Sequence, residues 1–170
     1  MLFRSRPCGV AVSGWKPCAF NGRTDVLEAD LKPLGITRPF KQLFLNGRRL
    51  TWARYPNEDP SHPYSGGWAY VDGVRPPMYK DIEGERTDTV VLRAKDARTW
   101  AQPQEGEICI FPRYNWWNRI EKIQSYDPAT RTFTLAKKMQ YAARPEDRFC
   151  LMGLRDRKST RLNSSHDQIS

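Results

Sequence analysis

Apolar and polar residues alternate over short distances in this chain, and turn residues separate one run from the next. Gln42-Leu43-Phe44-Leu45 and Arg48-Arg49-Leu50-Thr51 flank Asn46-Gly47. That dipeptide accepts the positive φ angles of a two-residue hairpin turn, so the stretch predicts a β-hairpin. A second hairpin is predicted over residues 120–126, the turn Asp127-Pro128-Ala129-Thr130, and residues 131–135. In its second arm Thr132 and Thr134 alternate with Phe133 and Leu135, the period of two of a half-buried strand. Further strands are predicted over residues 9–13, 26–29, 68–71, 89–92, 107–111 and 148–151. Prolines at 33, 39, 56, 60, 63, 76, 77, 103, 112, 128 and 145 forbid long helices. Short helical turns fit only around 29–34 and 96–100, and residues 56–77 form a long loop broken by Trp68-Ala69-Tyr70-Val71. The predicted class is all-β.

Composition narrows this reading. Of 170 residues 39% are hydrophobic and 28% charged, but 6 Trp, 7 Tyr and 7 Phe supply enough large apolar side chains for a core. No apolar run approaches the ~18–20 residues of a membrane helix, so a membrane-spanning protein is not expected. Both ends carry a different signal. Residues 156–170 match, in frame, the translation of a common sequencing-library adapter, and residues 1–5 fit the opposite adapter orientation. Both are expected to be scars, the tail disordered, and are excluded from fold reasoning. Removing Arg4, Arg157, Lys158, Arg161, Asp156 and Asp167 takes the net charge from +9 to +7 and leaves His62 as the remaining histidine. A His-rich metal site or a His-dependent triad is therefore not expected, and no cofactor or metal is assigned.

Other chemistry is sparse. Cys8, Cys18, Cys109 and Cys150 include no C-x-x-C pair, which argues against a zinc ribbon. Buried or incidental thiols are the expected reading, with a Cys8–Cys18 disulfide as the alternative. Glu58-Asp59, Glu83/Glu85 and Glu146-Asp147 lie in turn-like sequence and read as solvated loop charge, because adjacent strand residues point to opposite faces and cannot pair across a sugar. Arg48, Arg49 and Arg54 form a basic hairpin, read as edge protection before anion binding. The unusual cluster is Tyr114-Asn115-Trp116-Trp117-Asn118-Arg119. Aromatic faces stack on sugar rings while Asn and Arg bond hydroxyls, so Trp116, Trp117, Asn118 and Arg119 are the candidate glycan-binding residues. Strand alternation would send one tryptophan into the core and leave the other for a ligand or for an interface with further chain. The same chemistry suits single-stranded nucleic acid, but the basic residues are spread along the chain among acidic ones and no nucleic-acid motif accompanies them.

Two blocks together resemble a family. The run Gln42-Leu43-Phe44-Leu45-Asn46-Gly47-Arg48-Arg49-Leu50-Thr51-Trp52-Ala53-Arg54-Tyr55-Pro56-Asn57 is similar to a block of large right-handed parallel β-helix proteins, pectin-lyase-like and mostly bacterial. Trp116-Trp117-Asn118-Arg119-Ile120, Thr132-Phe133-Thr134-Leu135, Tyr141 and Pro145-Glu146-Asp147-Arg148-Phe149 look like a second block, with residues 9–17 and 26–31 resembling the stretch upstream. Cys150 and Met152 depart from the family pattern. The resemblance implies an antiparallel β-rich insert domain (38–155) attached to the start of a truncated parallel β-helix (6–37). It gives Asn46, Gly47, Arg54, Tyr55, Pro56 and Asn57 a structural role. It places any catalytic carboxylates on later coils, so no catalytic residue is assigned here. The function it implies is an inactive fragment of a carbohydrate-active protein, a glycoside hydrolase or polysaccharide lyase. The parent would be extracellular, periplasmic or on the cell surface, with a polysaccharide as partner. The alternatives are a noncatalytic glycan-binding or structural β-helix protein such as an adhesin, and a basic nucleic-acid-binding β domain.

Overall fold

The computed structural model describes residues 9–20, 23–36, 40, 42–50, 52–100 and 102–154. The two adapter-like ends and Cys8 lie outside them. The chain divides into two compact units, residues 1–50 with 165–170 and residues 51–164. The division falls within the stretch that the resemblance assigns to the insert.

The first unit holds two hairpins. β1 (Lys16–Phe20) pairs antiparallel with β2 (Arg23–Glu28). Pro17 lies within β1, a position open to proline because a two-stranded ribbon consists only of edges. A 3-10 turn over Lys32–Leu34 follows, begun by Asp30 Oδ1 accepting from Lys32 N at 3.0 Å and ended by Gly35 at φ 66°. β3 (Phe44–Leu45) and β4 (Arg48–Arg49) then pair around Asn46 (φ 50°) and Gly47 (φ 78°), the left-handed pair expected of this turn. Residues 9–13 are not a strand. The run of small and β-branched residues there finds no partner among the described residues, and propensity alone does not make a strand. Among the residues of this unit whose burial is described, 9–19, 27–36, 40 and 42–50, none is buried.

The second unit is a single antiparallel sheet that closes on itself. Its strands are β5 (Arg54–Tyr55), β6 (Ala69–Tyr70), β7 (Thr89–Val91), β8 (Glu107–Ile110), β9 (Arg119–Asp127), β10 (Thr132–Leu135) and β11 (Arg148–Met152). The order is β5-β11-β8-β9-β10-β7, and β6 also pairs with β11. A bridge between Val71, just after β6, and Leu92, just after β7, joins the two ends. Asp72 N donating to Val91 O at 2.9 Å reinforces it. Closure removes the open edges that would otherwise template association. Every strand pairing among the described residues is antiparallel. The all-β class therefore holds.

The core is the inward half of each alternation. Val90, Leu92, Ile108, Ile110, Phe133, Leu135, Phe149 and Leu151 are almost fully buried, with Ala69, Val71, Ile123, Met139 and Trp100 around them. The predicted hairpin is β9–β10, its turn held by Asp127, whose two carboxylate oxygens accept from Ala129 N at 2.9 Å and Thr130 Oγ1 at 2.7 Å. The register slips by one residue where Thr134 faces Ser125 and Leu135 faces Ile123. Gln124 is the extra residue of this β-bulge, so Ile123 and Tyr126 both turn inward. Tyr126 packs on Phe133 with ring centroids 4.6 Å apart.

Candidate functional site

Residues 113–117 leave the strand pattern after β8. Arg113 and Asn115 both take φ 57°, a left-handed conformation that no strand tolerates. The alternation rule therefore does not reach Trp116 and Trp117. Both are exposed, at 72% and 41%, and neither enters the core. This corrects the expectation that one of them is buried.

The loop instead gathers aromatic rings from three places. Tyr114, Trp116, Trp117 and Tyr141 form a closed circuit, with centroid separations of 5.7, 6.0, 5.8 and 5.1 Å between successive members. Tyr79 joins it at 6.0 Å from Tyr114 and is 81% exposed. Trp116, Trp117 and Tyr141 tilt successively by 38° and 36°; the two tryptophans are exposed and Tyr141 is half-buried. Each face carries the negative side of a quadrupole, and the tyrosines add hydroxyls that donate and accept.

A buried polar frame supports this surface. Asp147 is fully buried, and its Oδ2 accepts from Arg113 N at 2.6 Å and Arg144 N at 2.8 Å. One carboxylate oxygen thus ties the Tyr114 loop to the segment carrying Tyr141. Burial pushes its carboxyl above the usual carboxylate range, and the two backbone donors pull the other way. Arg144, only 3% exposed in its side chain, forks onto Glu85 at 2.7 and 2.9 Å and donates to the carbonyls of Met78 and Lys80 at 3.0 and 2.7 Å. Arg113 donates to Met78 O at 3.1 Å and Asp81 Oδ1 at 2.8 Å, and its guanidinium lies 5.0 Å from the Tyr114 centroid. Arg113 and Arg144 together hold the residues on both sides of Tyr79. The ion pair with Arg113 lowers the Asp81 carboxyl. The expectation of solvated loop charge fails at Asp147, which is buried, and at Glu85, which is bound by Arg144. It was drawn from neighbouring residues, and the partners of both groups are distant in sequence.

The other candidates sit apart from the rings. Asn118 donates through Nδ2 to Cys109 Sγ at 3.5 Å, and Arg119 pairs with the buried Glu121 at 2.6 Å. Sequence reasoning missed Tyr79 and Tyr141 as site residues, and nothing local in either sequence marks them. Asn46 and Gly47 make the hairpin turn of the first unit, where Arg48 and Arg49 are exposed. Arg54 stacks on Trp68 at 4.5 Å and donates to Pro56 O at 3.2 Å and to Gly67 O. The Tyr55–Pro56 peptide is cis, and Tyr55 Oη donates to Asp96 Oδ1 at 2.7 Å. Asn57 O lies 2.5 Å from where a Cβ on Gly67 would stand, and Gly67 has φ 67°, so this approach admits only glycine. Arg54 through Asn57 thus clamp the long loop onto β11.

Among the described residues no group of three or more His, Cys, Asp or Glu side chains could hold a metal ion. No helix among them is long and apolar enough to cross a membrane. Comparison with family models, curated proteins and solved structures finds no match.

Proposed function

We propose that the chain is a glycan-binding piece of a larger carbohydrate-active protein, in which the antiparallel barrel is an insert beside the first coil of a right-handed parallel β-helix. The observation that carries the binding part is the circuit of Tyr114, Trp116, Trp117 and Tyr141, in which the two tryptophans are exposed, with the exposed Tyr79 beside it. Sugar C–H groups pack on the negative ring faces, and hydroxyls at the rim orient the ring. The polar frame fixes the rings before a ligand arrives, which lowers the entropy lost on binding. The β-helix part rests on the sequence resemblance, and the absence of buried residues among those of the first unit whose burial is described supports it. A coil of a solenoid buries its apolar face only against neighbouring coils.

Two arginines support the sugar reading over the nucleic-acid one. Nucleic-acid stacking surfaces pair rings with cations free to meet phosphate. Here Arg113 and Arg144, the cations built into the platform, are taken up by Asp81, Glu85 and backbone carbonyls. A sugar ligand suits that arrangement better.

The test is titration of the chain with a panel of neutral and uronate-bearing oligosaccharides, followed by calorimetry. Trp116→Ala and Trp117→Ala are each expected to weaken binding by about 1–2 kcal/mol, roughly tenfold in Kd, with unchanged melting. Full affinity in the double variant would overturn the platform. Binding to single-stranded DNA that collapses with added salt, with no oligosaccharide bound, would favour the nucleic-acid reading instead.

A further inference from the structure

Cys109 of β8 and Cys150 of β11 stand directly opposite each other in the antiparallel register. Residues so paired share one face of the sheet, with Cα atoms about 4.5–5.5 Å apart. A disulfide bridges Cα separations of about 4.4–6.8 Å, so neither strand has to move for the bond to form. Both residues are buried, at 7% and 2%, and both are free thiols.

Their surroundings make them unequal. Asn118 donates to Cys109 Sγ at 3.5 Å, and Cys150 has no such donor among the described residues. The Arg54 and Arg148 guanidiniums lie on the same face, 4.5 and 5.2 Å from the Trp68 centroid, and Arg148 also lies 4.2 Å from that of Phe111. The Cys150 thiol, the Asn118 amide and the two cations lower the Cys109 thiol from its usual range, against its burial. The neighbouring Cys109 thiol and burial push the Cys150 thiol up. A thiolate is the reactive form of cysteine. The glycan reading uses neither residue.

We propose that Cys109 and Cys150 are a reversible dithiol–disulfide pair, with Cys109 the attacking sulfur and Cys150 the resolving one. Hydrogen peroxide is an oxidant small enough for so buried a site. The Cys109 thiolate attacks one peroxide oxygen and the O–O bond breaks. The departing hydroxide takes up the proton that Cys109 had lost, giving a sulfenic acid and water. The Cys150 sulfur then displaces the sulfenic oxygen; the S–S bond forms, and the Cys150 proton leaves with that oxygen as a second water. Two thiols are oxidised and one peroxide is reduced. An external dithiol reverses the bond by exchange and leaves as its own disulfide.

The experiment uses the full chain carrying Cys8→Ser and Cys18→Ser. It is treated with one equivalent of hydrogen peroxide, alkylated, digested without reductant and mapped by mass spectrometry. The expected product is a peptide pair joined through Cys109 and Cys150, lighter by two hydrogens and lost on dithiothreitol treatment. In Cys150→Ser, dimedone is expected to trap a sulfenic acid at Cys109, whereas in Cys109→Ser it leaves Cys150 unlabelled. Two thiols that remain alkylatable after peroxide, or oxidise to sulfinic acid without joining, would overturn the pair. Dimedone on Cys150 alone would overturn the assigned order. The joined peptide is read without substituting either cysteine, so a variant that fails to fold does not blunt the test.

Discussion

Asp147 is the residue on which the aromatic surface depends. It sits fully buried with one oxygen holding two backbone N–H groups and the other, Oδ1, without a hydrogen-bond partner. A bond to a charged acceptor contributes about 1.5–3 kcal/mol. Asp147→Ala removes two and is expected to cost about 2–4 kcal/mol in urea denaturation, while Asp147→Asn keeps one acceptor and loses less. The pH dependence has a definite sign. Burial raises the folded-state pKa of Asp147 above its unfolded value, so the stability this group contributes is complete below the unfolded pKa. That contribution is lost as pH rises through the folded one. The stability of the wild type relative to Asp147→Asn is therefore expected to fall as pH rises through the acidic range. A difference that is flat or rises over that range would contradict the assignment of burial as the dominant effect. The local sequence Pro145-Glu146-Asp147-Arg148 reads as an exposed turn, and only the fold, by bringing Arg113 to it, makes it an anchor. The cysteines teach the same lesson: spacing showed no motif, because the register that pairs Cys109 with Cys150 is set by strands far apart in sequence.

At the scale of elements, legibility followed locality. Both predicted hairpins are present, because an Asn-Gly turn and an Asp-anchored turn are decided within a few residues. Residues 68–71, 89–92, 107–111 and 148–151 also gave strands, each within about a residue of the predicted span. β1 and β5 were missed, since Pro17 and Pro56 mark those stretches as non-strand; β1 is held by its hairpin partner β2 and β5 by the sequence-distant β11. The tryptophan pair was misread for the opposite reason, an assumed strand where two left-handed residues make a loop. The β9–β10 hairpin is where local pattern and core agree most fully. Phe133 is completely buried between Tyr126 and Trp100, with centroids 4.6 and 6.1 Å away. Phe133→Ala is expected to destabilise the second unit by about 3–5 kcal/mol, read from the denaturation midpoint. A loss under about 1 kcal/mol, of the size seen for tolerated core swaps, would mean that the hairpin is not packed as described.

For the whole molecule, the two units differ in what each can bury. Among the described residues the buried apolar core, from Ala69 to Leu151, lies in the second unit, and the Val71–Leu92 bridge closes its sheet. Such a barrel has its own hydrophobic core and paired edges, the two conditions for folding alone. In the first unit no residue whose burial is described is buried, so those residues supply no such core. This asymmetry was not legible from composition, which spreads aromatic residues over both units. It follows from closure, a contact between segments brought together only by the finished sheet. Residues 51–154 expressed alone are expected to melt cooperatively, with dispersed amide signals. Residues 1–50 alone should show neither. If 51–154 instead remains molten while the full chain melts as one transition, then the barrel draws stability from the first unit. The insert reading would then fail, because an insert must carry its fold with it wherever the neighbouring coils begin.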